Sequence, residues 1–320
     1  MRKLNQPFLW LGVLLVALSG CTTPRLQPHE GYVSVPGGRV KFKVVGSGPG
    51  TPLLLLHGGP GFPSDYLERL SALGDERPVI FYDQLGCGRS DRPKDTNLWH
   101  MARFVEELRC VRRELGLRRI HLLGHSWGTM LATDYILTRP TGVESLILAG
   151  PCLSIPRYIQ DVARLRKELP AEIQEIMVRH EAAATTDSEE YRRAGMAFLR
   201  KHVCRLDPWP REMELSLAGM GGEVYNTMWG PSEFYATGPL KSYDRTPRLG
   251  ELRLPVLFTA GRFDECTPSA SAWYQGLVPG SRLAIFENSS HMTMIEESEA
   301  YIGVLRGFLR DVERRGSFHR

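Results

Sequence analysis

The sequence predicts an α/β fold built on a mostly parallel sheet. Short apolar runs alternate with longer segments of helical periodicity, the pattern left by repeated strand–helix–strand units. Over 320 residues the composition is 42% hydrophobic and 24% charged, which supplies a core and excludes disorder, collagen and coiled coil as the main state. Only one long apolar run is present, so a polytopic membrane protein is excluded as well. Forty basic residues stand against thirty-six acidic ones, and a formal charge of +4 is too even to mark a nucleic-acid-binding surface.

The elements follow in chain order. Strands are expected at residues 32–35 and 40–45, then in the apolar runs 53–56, 79–82, 120–123, 145–148, 256–259 and 283–286. Helical spacing falls at 64–73, 99–115, 127–138 and 299–313. Between residues 150 and 255 the alternation stops. This stretch is charged and helix-forming at 155–169, 172–184 and 188–203, then rich in glycine, proline and aromatics from 206 to 246. It is expected to form a cap, residues 151–250, between two parts of a core, 31–150 and 251–320. Ligands of open α/β sheets bind at the C-terminal edge that such a cap would cover.

Residues 1–20 read as an export signal. Arg2 and Lys3 precede the apolar run 8–18, and Leu18-Ser19-Gly20-Cys21 follows. The run is too short for a spanning helix, which needs about 20 apolar residues. The ending resembles a bacterial lipobox, in which the cysteine is acylated and becomes the new N-terminus. On that reading residues 21–30 tether a lipid-anchored protein to the cell envelope, at the outer membrane if the host is Gram-negative. The remaining cysteines, Cys87, Cys110, Cys152, Cys204 and Cys266, are odd in number and show no metal-ligand spacing. They are expected to be mostly buried free thiols.

The sharpest chemical signal is Gly124-His125-Ser126-Trp127-Gly128 between a predicted strand and a predicted helix. A serine on such a tight turn projects above the sheet as a nucleophile, next to a helix N-terminus that favours negative charge. Nucleophilic serine needs a base, and the base needs an orienting carboxylate. Asp264 and His291 follow the strands 256–259 and 283–286, in the chain order that this type of site uses. Glu265 is the rival for the carboxylate role. Of the nine histidines, His291 alone combines chain order with a strand-end position. His57-Gly58-Gly59-Pro60-Gly61 follows the strand 53–56. Backbone N–H groups of Gly58 or Gly59, with that of Trp127, are expected to form an oxyanion hole. His57 is expected to brace this loop. The glycines do not match a dinucleotide-binding pattern, and no metal or organic cofactor is called for.

These motifs, with Asp83-Gln84-Leu85-Gly86-Cys87-Gly88-Arg89-Ser90 and Gly261-Arg262-Phe263-Asp264-Glu265-Cys266-Thr267-Pro268, resemble the α/β-hydrolase proline iminopeptidases. The branch most like this chain holds the tricorn-interacting aminopeptidase and related amino-acid amidases. The resemblance runs from about residue 31 to the C-terminus, cap included. Leu85 departs from it, standing where the family has arginine, and the lipobox is no part of the family pattern.

The resemblance implies an α/β-hydrolase fold with a mainly helical cap inserted between strands. It also implies that Glu233, in the segment 226–234, and Glu265 bind the substrate's free α-amino group. The chemistry fits, because an ammonium entering a partly closed site must be paired. Trp209, Tyr225, Trp229 and Phe234 are candidates to line the pocket. The implied activity is that of a serine aminopeptidase on short peptides or aminoacyl amides, with proline preferred or tolerated. An esterase or lactonase with the same triad, and a non-catalytic peptide-binding lipoprotein, are the rival readings. A serine nucleophile disfavours the dehalogenase and epoxide-hydrolase relatives. Oligomeric state is not readable from the sequence.

Overall fold

The computed structural model describes residues 26–317. The expected signal segment 1–20 and Cys21 lie outside the described residues. The strands are β1 (His29–Val35), β2 (Gly38–Val45), β3 (Leu53–Leu56), β4 (Val79–Tyr82), β5 (Ile120–His125), β6 (Val143–Ala149), β7 (Val256–Gly261) and β8 (Arg282–Phe286). They form one sheet in the order β1-β2-β4-β3-β5-β6-β7-β8. The pairs β1–β2 and β2–β4 are antiparallel. All the others run parallel, so β3 to β8 share one C-terminal edge.

The helices are α1 (Met101–Glu114), α2 (Trp127–Leu137), α3 (Ile155–Arg166), α4 (Ala171–Ala182), α5 (Glu189–His202), α6 (Arg211–Ala218), α7 (Gly222–Met228), α8 (Pro268–Gly276), α9 (Thr293–Glu296) and α10 (Ser298–Ser317). The central strands are apolar throughout because both faces are covered, as parallel sheets require. In β3, Leu54 and Leu56 pack on one face with residues of α1, α2 and α8. Leu53 and Leu55 point the other way, into a layer built from a 3₁₀ helix (Ser64–Asp75) and α10. Among the described residues no helix is long and apolar enough to cross a membrane.

Three elements differ from the expected ones. The segment expected as an α-helix at 64–73 is the 3₁₀ helix. Helix α1 begins at Met101 rather than 99, because the His100 side chain accepts the Arg103 N–H as its cap. The stretch 206–246 holds two short α-helices and a 3₁₀ turn at Pro239–Ser242. Pro210 opens α6, Gly219 ends it and Gly221 opens α7, so the glycine and proline there punctuate helices rather than replace them. Helices α3 to α7 all lie between β6 and β7. Residues of α5, α6 and α7 line the same cavity as Ser126, so the insert roofs the C-terminal edge of the sheet.

Strand β5 and helix α2 approach neighbouring backbone closely. A Cβ on Gly128 would stand 2.2 Å from the Leu56 carbonyl oxygen of β3, and one on Gly124 would stand 2.2 Å from the Gly128 carbonyl oxygen. Glycines at 303 and 307 on α10 have no atom within 4 Å of such a position. Gly128→Ala is therefore expected to cost about 1–3 kcal/mol in urea unfolding, the usual range for overpacking. Gly303→Ala is expected to add about 0.5–1 kcal/mol by stiffening an exposed helix position.

Candidate active site

The site is built from the C-terminal ends of β5, β7 and β8. Pairing of β5 with β6 continues through Gly124 and His125, two residues beyond the apolar run, and Ser126 makes the turn into α2. Its backbone has φ 54° and ψ −122°, a region that costs a non-glycine residue on the order of 1–3 kcal/mol. Neighbours hold it there. Ser126 N–H donates to the Ala149 carbonyl at 2.9 Å, and the Ser126 carbonyl accepts from Thr129 N–H at 2.8 Å and Thr129 Oγ1 at 2.6 Å. The side chain is left at the N-terminus of α2, where partial positive charge collects.

Asp264 and His291 meet beside it. The loops after β7 and β8 are tied together by Arg262 N–H to the Phe286 carbonyl (2.7 Å) and Phe263 N–H to the Ser289 carbonyl (3.1 Å). His291 Nδ1–H donates to Asp264 Oδ1 at 2.8 Å, which also accepts Cys266 N–H at 2.7 Å. Both side chains are buried, and His291 lines the cavity that Ser126 also lines. Burial works against the imidazolium, but the Asp264 charge and hydrogen bond outweigh it, and the His291 pKa is raised above its ordinary value. Glu265, the rival carboxylate, comes no closer than 3.9 Å, and does so at Nε2 rather than Nδ1. Gly150, just past β6, makes room for the pair. A Cβ there would lie 2.6 Å from His291 Cε1.

The loop after β3 is fixed by buried side chains. Gln84 N–H donates to His57 Nε2 (2.8 Å), which makes Nδ1 the protonated nitrogen, and that nitrogen donates to the Gly58 carbonyl (2.9 Å). Gln84 also donates to the His57 carbonyl (3.1 Å) and accepts Trp127 Nε1–H (2.9 Å), so one amide links the loop to α2. Gly58 is corrected as an oxyanion donor. Its N–H is spent on the Tyr66 hydroxyl at 2.8 Å. Tyr66 in turn meets His125 Nδ1 at 2.8 Å, and His125 Nε2 meets the His291 carbonyl at 3.0 Å. A carbonyl can only accept, so His125 is protonated on Nε2, Tyr66 donates to Nδ1, and every proton in the chain is placed. Gly59 N–H has no such internal partner among the described residues, and Trp127, as the first residue of α2, has an N–H without an intrahelical acceptor. These two are the donors left for an oxyanion.

A cavity of about 520 Å³ opens over Ser126, and Glu233 and Glu265 line it. Tyr225 donates to Glu233 Oε2 at 2.8 Å. Glu265 is buried, with Oε2 lacking any partner. Burial, then the nearby charges of Glu233 and Asp264, push its pKa well up, and burial raises Glu233 too. Both carboxyls are thus pushed toward their protonated forms, and Glu265 Oε2 is a buried, unpartnered acceptor on a residue that lines the cavity. Trp209, Tyr225 and Phe234 also line it, but Trp229 does not. Trp229 packs on Tyr158 with ring centres 5.5 Å apart and donates Nε1–H to the Ser232 carbonyl, so it belongs to the cap's own core.

Cys87, Cys110, Cys152, Cys204 and Cys266 are all free and buried. Asp264, Cys266 and His291 bring ligand-type atoms within 4.8 Å of one another. A metal there would have to break the Asp264–His291 bond and deprotonate a thiol that burial holds protonated. Tyr66, Gln84 and Gly150 were not singled out from the sequence. Gly150 carried a signal, a glycine at a strand's C-terminal end, and Gln84 sits inside a quoted motif. Tyr66 carried none, since its role depends on how the 3₁₀ helix folds back over the loop.

Residues 51–298 match the alpha/beta hydrolase fold family. The chain is 50% identical over 285 residues to a proline iminopeptidase of Heyndrickxia coagulans, covering 88% of this chain and 99% of that protein. Among solved structures, VinJ superposes with a TM-score of 0.86 at 37% identity, covering 89% of this chain and all of that one. The proline iminopeptidase of Mycobacterium smegmatis superposes with a TM-score of 0.83 at 34% identity, covering 90% and 100%. With a strained serine at the end of β5, a histidine–aspartate pair beside it and likeness along nearly the whole described chain, this protein belongs to the proline iminopeptidase family of α/β hydrolases.

Proposed function

We propose that this protein is a serine aminopeptidase that releases N-terminal proline from short peptides or aminoacyl amides through an acyl-enzyme. The observation that carries the reading is a pair of carboxyls, Glu265 buried with an unpartnered oxygen and Glu233 half-buried, in the cavity that Ser126 and His291 also line. Ser126 Oγ attacks the first carbonyl while His291 Nε2 takes its proton, and Asp264 holds the tautomer and steadies the imidazolium. Gly59 and Trp127 N–H groups hold the oxyanion. His291 returns the proton to the leaving amine as the C–N bond breaks, and water then hydrolyses the ester.

Glu233 and Glu265 receive the substrate's ammonium. Because the amine is held at a fixed place, the first carbonyl is the one presented to Ser126, and blocked N-termini have no partner for the pair. This arrangement favours the branch that holds the tricorn-interacting aminopeptidase and amino-acid amidases. The ending Leu18-Ser19-Gly20-Cys21 supports a further proposal, that the protein is exported and anchored to the bacterial cell envelope by acyl chains on Cys21. More than one acyl chain gives a stable anchor where a single chain is marginal. Cys21→Ser is expected to abolish incorporation of labelled fatty acid and to move the protein out of the membrane fraction.

Hydrolysis of prolyl, alanyl and N-acetyl-prolyl aryl amides, beside a simple aryl ester, tests the reaction. Cleavage of the free-amine amides with none of the acetylated one is expected, and Ser126→Ala is expected to abolish it with folding unchanged. Fast ester cleavage without amide cleavage would overturn the peptidase reading in favour of a tethered esterase.

The pH profile follows from His291, which acts as a base only when neutral. Its raised pKa places the acid limb of kcat/KM above the ordinary histidine value of about 6.5. Asp264→Asn removes the raising charge and leaves burial, so that limb is expected to move to lower pH, with kcat down by about 10⁴-fold. An ammonium between the glutamates favours their ionised forms. Binding of a prolyl ligand to Ser126→Ala is therefore expected to release about one proton, read by calorimetry in buffers of different ionisation enthalpy, and Glu265→Gln is expected to suppress that release.

A further inference from the structure

A single prolyl residue leaves much of the cavity unused. About 520 Å³ falls within the range of about 300–1,000 Å³ that holds a drug-sized ligand. Much of the wall is apolar. Met213 and Leu217, four residues apart and so on one face of α6, line it together with Met220, Trp209, Val203 and Phe62. Helix α6 is pinned over the loop after β3. Ser216 Oγ donates to the Pro63 carbonyl (2.9 Å) and accepts Tyr66 N–H (2.9 Å). The chain at Val203 is pinned beside His291, through His291 N–H to the His202 carbonyl (3.2 Å) and Met292 N–H to the Val203 carbonyl (2.9 Å). Trp209 spends its Nε1–H on the Cys204 carbonyl, leaving its ring as apolar wall. Leu217 is 52% exposed while lining the cavity, so the apolar surface continues out to the mouth. The charged residues on the rim are already engaged. Arg193 pairs with Glu189, and Arg192 donates to the Asp187 carbonyl.

We propose that this apolar wall is the subsite for the leaving group, and that the preferred substrates carry a large hydrophobic side chain on the unit after the proline. The proposal rests on the aminopeptidase reading and adds its substrate class. With the ammonium at Glu233 and Glu265 and the first carbonyl at Ser126, the second unit has the remaining space to fill. It leaves as the amine that His291 protonates, beside Val203. A charged side chain would lose its hydration against methionine, leucine and tryptophan.

The test compares kcat/KM of the purified protein for Pro-Phe, Pro-Leu, Pro-Gly, Pro-Glu and prolinamide, whose leaving group is ammonia. Pro-Phe and Pro-Leu are expected to exceed Pro-Gly and Pro-Glu by about 10- to 100-fold, the discrimination that an apolar pocket provides. Leu217→Glu, at a position exposed enough to tolerate the change, is expected to shrink the ratio of Pro-Phe to prolinamide by about tenfold or more. Leu215→Glu, on the same helix but outside the cavity lining, is expected to leave that ratio unchanged. Equal kcat/KM across the four dipeptides, or an unchanged ratio in Leu217→Glu, would overturn the subsite while leaving the aminopeptidase intact. Failure to cleave any prolyl substrate, prolinamide included, would overturn the aminopeptidase reading on which the subsite rests.

Discussion

The site depends on Ser126 leaving β5 and entering α2 with a left-handed φ, because every other group is measured from that point. Neighbouring strands stand about 4.8 Å apart, and β6, β7 and β8 lie progressively farther from β5. The chain bridges that distance with loops of graded reach. Ser126 is the first residue past β5, Asp264 the third past β7 and His291 the fifth past β8. What lies between must stay low, and the residue past β6 is Gly150, the only residue type that leaves room for the imidazole. Parallel pairing puts all four strand ends on one edge, so the geometry follows from topology plus three loop lengths.

Electrostatics then decides which of the clustered groups carries charge. Burying several ionised groups without partners is costly, and the site avoids it by placing protons. Burial, and then the nearness of His291, hold His125 well below the ordinary histidine value, so it stays neutral although the two rings are only 4.4 Å apart. A second imidazolium there would oppose the one that His291 must form. The fixed Gly58–Tyr66–His125 chain thus does two things: it locks the loop after β3, and it leaves His291 as the group able to gain a proton.

The sheet was readable because its central strands are buried on both faces and spell unbroken apolar runs. Runs 53–56 and 79–82 matched β3 and β4 to the residue. Strand ends were harder, since β5 continues through Gly124 and His125 on backbone pairing that side chains do not encode. Ser126, Asp264 and His291 stood out because glycine spacing and strand ends locate them locally. Gly58 was over-read, because a free N–H is a property of its surroundings, and Tyr66 from another element had already taken it. Trp229, one of the candidate pocket residues, turns into the cap's own core instead. In a cap, an aromatic ring faces the cavity or the cap's own core according to helix packing that has no short sequence signal. Leu85, the departure from the family pattern, is buried, and its N–H is held by Glu107. That carboxylate pairs with Arg103 of α1, so the loop is tied to that helix.

In the proposed function, selection of a free amine and the proton transfers meet at Glu265. Its carboxyl lies 3.9 Å from His291 Nε2, the nitrogen that must pass a proton from Ser126 to the leaving amine. An ionised, unpartnered carboxylate at that distance would attract the imidazolium proton and compete with the leaving group for it. Burial and the neighbouring charges of Glu233 and Asp264 push Glu265 toward its protonated form when the cavity is empty, which weakens the competitor. When an ammonium enters and favours ionisation, the same ammonium neutralises the new charge. Both states thus disfavour a free carboxylate facing Nε2. A ligand without the amine leaves the proton in place and the carboxyl pair unfilled, so it gains neither the anchor nor the alignment that the anchor gives. Specificity for a free N-terminus and an unobstructed proton path are, on this arrangement, two consequences of one shared proton.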